Sequence, residues 1–133
     1  MILLASNPAI QITDETGTLQ IFADPLFEKV MYNLTDNTIR HGETATVIHV
    51  YVVTEQDNIR IIWKDNGVGV PSREKEMIFQ RGYGKNTGFG LFLIREIFAI
   101  TGMTIQETGE PGKGARFEIT VQNGKWHYGS EAS

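Results

Sequence analysis

The sequence predicts an α+β domain, a two-layer sandwich in which a mostly antiparallel sheet carries helices packed on one face. Three observations predict it. Segments rich in β-branched and aromatic residues come in pairs, each pair joined by a short turn-forming stretch. Two other segments space their apolar residues at the helical period. The order of elements, ββ-α-ββ-(short α)-α-ββ, sets helices between strand pairs, which favours α+β over a doubly wound parallel sheet. The 133 residues suit one domain able to bury well over half of its unfolded surface, so 1–133 is read as a single unit.

Each element has its own reason. "AIQITDETGTLQIFADP" reads as two short strands joined by a turn at Thr16–Gly17. A helix starts at Asp24–Pro25, where Asp24 caps and Pro25 suits a position whose N–H is unpaired anyway. It runs to about Arg40 and stops at Gly42. Leu26, Phe27, Val30, Met31 and Leu34 gather on one apolar arc, with Asn33 and Asn37 at its margin and Arg40 beside them. Amides at the edge of a core need hydrogen-bond partners, from protein or from a ligand.

"TATVIHVYVVTE" and "NIRIIWKD" flank the turn "QDN" and read as an antiparallel hairpin. Ile59, Ile61 and Trp63 share one face, and Asp65 continues the same parity. If that face is the core face, the strand delivers a carboxylate to the edge of the interior, just before the glycine turn "NGVGVP". A short helical piece around "SREKEMIF" follows, then a helix from about Gly88 to Ile100 ending at Gly102. "MTIQETGE" and "ARFEITVQ", joined by "PGKG", form a last hairpin. The polar tail at 122–133, "QNGKWHYGSEAS", is expected to fray or to begin a linker.

Composition narrows the function. Hydrophobic residues make up 41% and charged residues 21%, as in soluble globular domains. A net charge of −4 supplies no basic field, which argues against nucleic acid as a partner. The absence of cysteine excludes disulfides and thiolate zinc sites. No apolar run reaches membrane-spanning length, and "MILLASNPAIQ" lacks a basic leader, so neither direct membrane contact nor a signal peptide is expected.

"RGYGKNTGFGLFLIREIF" packs glycines ahead of an apolar helix, as phosphate-binding loops do. The P-loop pattern fails, because Asn86 follows Gly84–Lys85 and Phe79 holds the upstream glycine position. The dinucleotide fingerprint fails at Thr87 and at Leu93. Gly88 and Gly90 still sit at a predicted helix N-terminus, where unpaired N–H groups and the helix dipole attract anions. A mobile loop with a tight helix start explains the same glycines, and this stretch alone leaves both readings open.

Taken together, "NLTDNTIRHG", "DNGVGV" and "GYGKNTGFGLFLI" resemble, in order, the N, G1 and G2 boxes of the histidine-kinase catalytic and ATP-binding domain. That family has the Bergerat fold and belongs with gyrase, the Hsp90 chaperones and MutL. "MIFQRGY" resembles its F box and "GKGARFEITV" its closing hairpin, so the likeness runs from about Ile10 to Val121.

The resemblance implies ATP and Mg²⁺ as ligands. It implies that Asn37 binds Mg²⁺ through its side-chain oxygen, with Asn33 one turn earlier facing the same pocket. Arg40 fills a basic position that reaches a phosphate, and His41 an aromatic position near the nucleotide. Asp65 matches the aspartate that accepts from the adenine 6-amino group; a carboxylate is acceptor-only and cannot pair with the 6-oxo group of guanine. Gly67 and Gly69 let the backbone pass close to the base. Phe79 and Tyr83 anchor a short lid, and Lys85, with Arg81 second, is its cation for the terminal phosphates. Thr87, Gly88, Gly90 and Leu91 belong to the G2 box, whose hydroxyl and backbone donors face the phosphates. Phe89 replaces the usual leucine there, and the lid is compact.

Family ATPases carry a water-activating glutamate where this chain has Asn33, which cannot act as a base and points to the histidine-kinase branch. No residue is assigned as a certain catalytic group; Arg40 and Lys85 are candidates for positioning phosphate. His41, His49 and His127 lack the acceptor context of a histidine followed by an acid, so the acceptor is expected on a separate dimerisation domain, with a response regulator downstream. The implied setting is cytoplasmic, with ATP binding but no self-phosphorylation by this chain. A nucleotide-binding regulatory module without transfer activity is the alternative.

Overall fold

The computed structural model describes residues 11–17, 19–21, 30, 32–34, 46–80 and 90–129. The main sheet has five strands in the order β1 (Gln11–Asp14), β3 (Val47–Glu55), β4 (Asn58–Asp65), β6 (Arg116–Val121) and β5 (Thr104–Glu107). Only β1 and β3 run parallel; every other neighbouring pair is antiparallel. The expected hairpins are present. β3 turns into β4 through Gln56 and Asp57, with Glu55 opposite Asn58 and Gln56 at φ 53°.

Alternation sorts the sheet into two faces. Ile48 and Val50 of β3, Ile59, Ile61 and Trp63 of β4, Ile105 of β5, and Phe117, Ile119 and Val121 of β6 share the inner face and are buried. The helix Gly90–Thr101 lays Leu91, Ile94, Ile97 and Phe98 against it. Val30 and residues 32–34 are helical, and Val30 and Leu34, one turn apart, enter the same cluster. Both helical segments therefore cover one face, as the sequence predicts. Each fully buried large side chain contributes roughly 1.5–3 kcal/mol, and Trp63, Phe98 and Phe117 are the largest of them.

The helix ends where glycine permits it. Gly102 takes φ 78°, and the N–H groups of Gly102 and Met103 both donate to the Phe98 carbonyl, at 2.9 and 3.1 Å. The predicted starts at Asp24–Pro25 and Gly88, and the stop at Gly42, lie outside the described residues. The short helical piece resolves into two 3₁₀ turns, Ser72–Glu74 and Met77–Phe79. No helix among the described residues is long and apolar enough to cross a membrane.

Two expectations need correction. β1 and β2 (Leu19–Ile21) are joined by the predicted turn but do not pair with each other. Asp14 Oδ1 accepts from the Thr16 N–H at 2.9 Å and its hydroxyl at 2.6 Å, and Gly17 at φ 61° turns the chain away from the main sheet. The tail also continues the fold: β7 (Trp126–Tyr128) pairs antiparallel with β2. Trp126 packs against the core, and its indole N–H donates to the Asp57 carbonyl at 3.1 Å, which fastens this segment to the β3–β4 turn. Residues 130–133 lie outside the description.

Candidate functional site

The site is built on the end of β4. Its inward alternation through Ile59, Ile61 and Trp63 carries Asp65 into the edge of the core, where it is 4% exposed. A carboxylate buried this far needs donors. Oδ1 accepts from the Gly67 N–H at 2.9 Å and from the Ala115 N–H at 3.0 Å, while the Asp65 N–H donates to the Ala115 carbonyl at 3.0 Å. Asp65 is thereby fixed both to its own turn and to the strand alongside.

The turn at 66–70 lies flat against the loop between β5 and β6. A Cβ on Gly114 would stand 2.1 Å from the Asp65 carbonyl oxygen, so only glycine fits there, and its φ of 104° also demands it. Gly69, at φ 77°, approaches the Gly114 carbonyl from the other side, and the Gly112 N–H donates to the Val68 carbonyl at 2.9 Å. Asn66 faces elsewhere. Its Oδ1 accepts from the N–H groups of Thr46 and Val47 at 2.8 and 3.1 Å, which ties the turn to the start of β3.

A second group of predicted residues meets at the start of the Gly90–Thr101 helix. Asn33 Nδ2 donates to the Gly90 carbonyl at 3.4 Å, joining residues 57 positions apart. Its neutral amide serves as a brace, a role open to asparagine and closed to an ionised glutamate, which has no hydrogen to give. Around Gly90 a Cβ would meet nothing within 4 Å among the described residues. Leu91 is buried in the core.

Phe79 is also buried, its ring edge-on to Phe117 with centroids 6.3 Å apart. The Arg95 guanidinium covers the Phe79 ring at 4.2 Å and pairs with Glu76 at 3.1 Å. This anchors the chain immediately before the predicted lid. Asn37, Arg40, His41, Arg81, Tyr83, Lys85, Thr87 and Gly88 lie outside the described residues.

Sequence reasoning missed Lys75 and Glu107. Glu107 ends β5 with the inward parity of Ile105, and its side chain is fully enclosed. Oε1 pairs with Lys75 Nζ, which also donates to the Gly109 carbonyl at 2.7 Å. Oε2 accepts from the N–H groups of Gly109 at 3.2 Å and Arg116 at 3.0 Å. The parity of Ile105 and Glu107 was the available signal, the same one that singled out Asp65.

Comparison with known proteins places the chain in a family and a fold. Residues 23–125 match the family described as histidine kinase-, DNA gyrase B- and HSP90-like ATPases. The alginate biosynthesis sensor protein KinB of Pseudomonas aeruginosa is 36% identical over 118 residues, covering 84% of this chain and 20% of KinB. The chain thus spans about a fifth of that relative's length. Among solved structures, the catalytic domain of histidine kinase ThkA is similar at a TM-score of 0.73 and 26% identity, over 86% of this chain and 81% of that one. The ATP-binding domain of PrrB from Mycobacterium tuberculosis shares the fold at a TM-score of 0.69 and 24% identity, over 88% and 82% of the two chains.

Proposed function

The chain belongs to the histidine kinase-, DNA gyrase B- and HSP90-like ATPase family, and on that premise we propose that it is the ATP-binding catalytic domain of a sensor histidine kinase. It binds Mg-ATP and passes the γ-phosphate to a histidine on a separate dimerisation domain of the parent protein. A response regulator receives the phosphoryl group downstream, and the domain works in the cytoplasm, where ATP is held.

One observation carries the reading: a buried carboxylate, braced by two N–H groups, on a glycine turn packed closely against the 110–114 loop. Such a group accepts from the 6-amino group of adenine and repels a 6-oxo group. Gly67 and Gly69 admit the base edge-on. At the other end, Asn33 holds the Gly90 helix start, whose N–H groups and dipole suit the phosphates. Asn37 would hold Mg²⁺ through its side-chain oxygen, a donor type that suits a hard ion, and the ion would supply neutralisation of phosphate charge. Arg40 and Lys85 steady the terminal phosphate, and Phe79 roots the lid that carries Tyr83, Lys85 and Thr87. The acceptor imidazole nitrogen forms its bond to the γ-phosphorus as the bond to ADP breaks and ADP keeps the electron pair. The protein's contribution is position and charge rather than covalent help.

The test mixes this chain, ATP labelled at the γ-phosphate, Mg²⁺ and the parent's histidine-bearing helical domain. Acid-labile label on the helical domain, and none on this chain incubated alone, is the expected result. ATP binding without label transfer would make the chain a regulatory nucleotide-binding module instead.

A further inference from the structure

The loop that backs the Asp65 turn has to be held in place itself. Residues 108–115 carry four glycine and proline positions and little apolar cover. What fixes them is the buried Glu107 carboxylate, which gathers the N–H groups at both ends of the loop, Gly109 and Arg116, on one oxygen. The other oxygen meets Lys75, which reaches in from the segment between the two 3₁₀ turns and takes the Gly109 carbonyl as well. Ala115, the residue beside Arg116, presents its N–H to Asp65. Consecutive peptide N–H groups at the entry of β6 are therefore held by two carboxylates, Asp65 from the β4 side and Glu107 from the β5 side.

We infer that Lys75 and Glu107 are positioning residues for base recognition. Their ion pair fixes the 108–115 loop against the Asp65 turn, and so keeps the Asp65 carboxylate aimed at the base. Lys75 belongs to the segment that leads into the Met77–Phe79 turn, so one cation ties that segment to the loop that backs the base turn. This rests on the reading of Asp65 as the adenine acceptor. Removing the pair lets the loop relax and blurs selection at the 6-position of the purine. Among the described residues of the phosphate end, Asn33 and Gly90 share no hydrogen bond with Lys75 or Glu107, so that end keeps its share of the affinity.

The experiment measures dissociation constants for Mg-ATP and for Mg-inosine triphosphate, which differ at the purine 6-position, by calorimetry on the whole chain. Wild type, Lys75→Met, Lys75→Arg, Glu107→Gln and Asp65→Asn are compared, with thermal melts confirming that each folds. Lys75→Met and Glu107→Gln are expected to weaken ATP about tenfold while moving inosine triphosphate by less than about twofold. Lys75→Arg, which keeps the cation, restores ATP to within about threefold of wild type. Equal loss of both nucleotides, or loss of neither, overturns the proposal. If Asp65→Asn collapses the ATP preference while Lys75→Met and Glu107→Gln preserve it, the base reading stands and the positioning role falls. If Asp65→Asn leaves the preference intact, the base reading fails and the positioning role fails with it. Should Lys75→Met not fold, Glu107→Gln, which keeps size and polarity, decides the matter by the same ratio.

Discussion

Asp65 and Glu107 are near mirror images across β6. Each ends a strand, each continues an inward alternation, each is almost fully buried, and each receives an N–H from the entry of β6. They differ in what else meets the carboxylate. Glu107 is matched by Lys75, so its charge is settled inside the fold. Asp65 is braced by the N–H groups of Gly67 and Ala115 at the lip of a glycine turn. Equivalent burial thus comes with different partners, and on the proposed reading the Asp65 carboxylate is the one that meets the base.

The comparison can be broken from the side of the shared loop. Gly114→Ala drives a methyl group into the Asp65 carbonyl and forces a residue with a side chain to φ 104°. It should cost about 3 kcal/mol of stability, against about 1 kcal/mol for Gly112→Ala, where φ is also positive but space is open. Thermal melts of the two variants check this, and similar melting points would mean that the loop does not press on the Asp65 turn. A sharper division comes from Glu107→Gln, which leaves Lys75 without its carboxylate and should lower stability by about 2 kcal/mol, read from denaturant midpoints. Gly90→Ala is the smallest effect. A Cβ there meets nothing within 4 Å among the described residues, so stability should hold or rise by about 0.5 kcal/mol. Mg-ATP should nonetheless bind about threefold more weakly if phosphates approach that backbone.

Much of this architecture is legible in the sequence. Period-two runs gave the antiparallel hairpins, and the helical period gave the Gly90–Thr101 helix with its glycine stop. The pairing of β2 with β7 was not legible. Strands of three residues carry almost no periodic signal, and their pairing is decided by where Trp126 finds its core contact and the Asp57 carbonyl. The site divides the same way. Parity exposed Asp65, and the helical wheel exposed Asn33, because each question concerns one element. The partner of Asn33 is a backbone carbonyl 57 residues away, and that of Glu107 is a loop lysine 32 residues away. Neither pairing leaves a mark on local composition. Glu107 itself carried the same parity signal as Asp65, but the glycine-rich stretch after it reads as an ordinary hairpin connection, so nothing local marked the carboxylate.

The central claim is that Asp65 reads the 6-position of the purine, and titrating wild type and Asp65→Asn with Mg-ATP and Mg-inosine triphosphate tests it most directly. Wild type should prefer ATP by about tenfold or more. The asparagine variant should lose or invert that preference, because its amide can donate to a 6-oxo group as readily as it accepts from an amine. An unchanged preference in a folded Asp65→Asn variant would contradict the account.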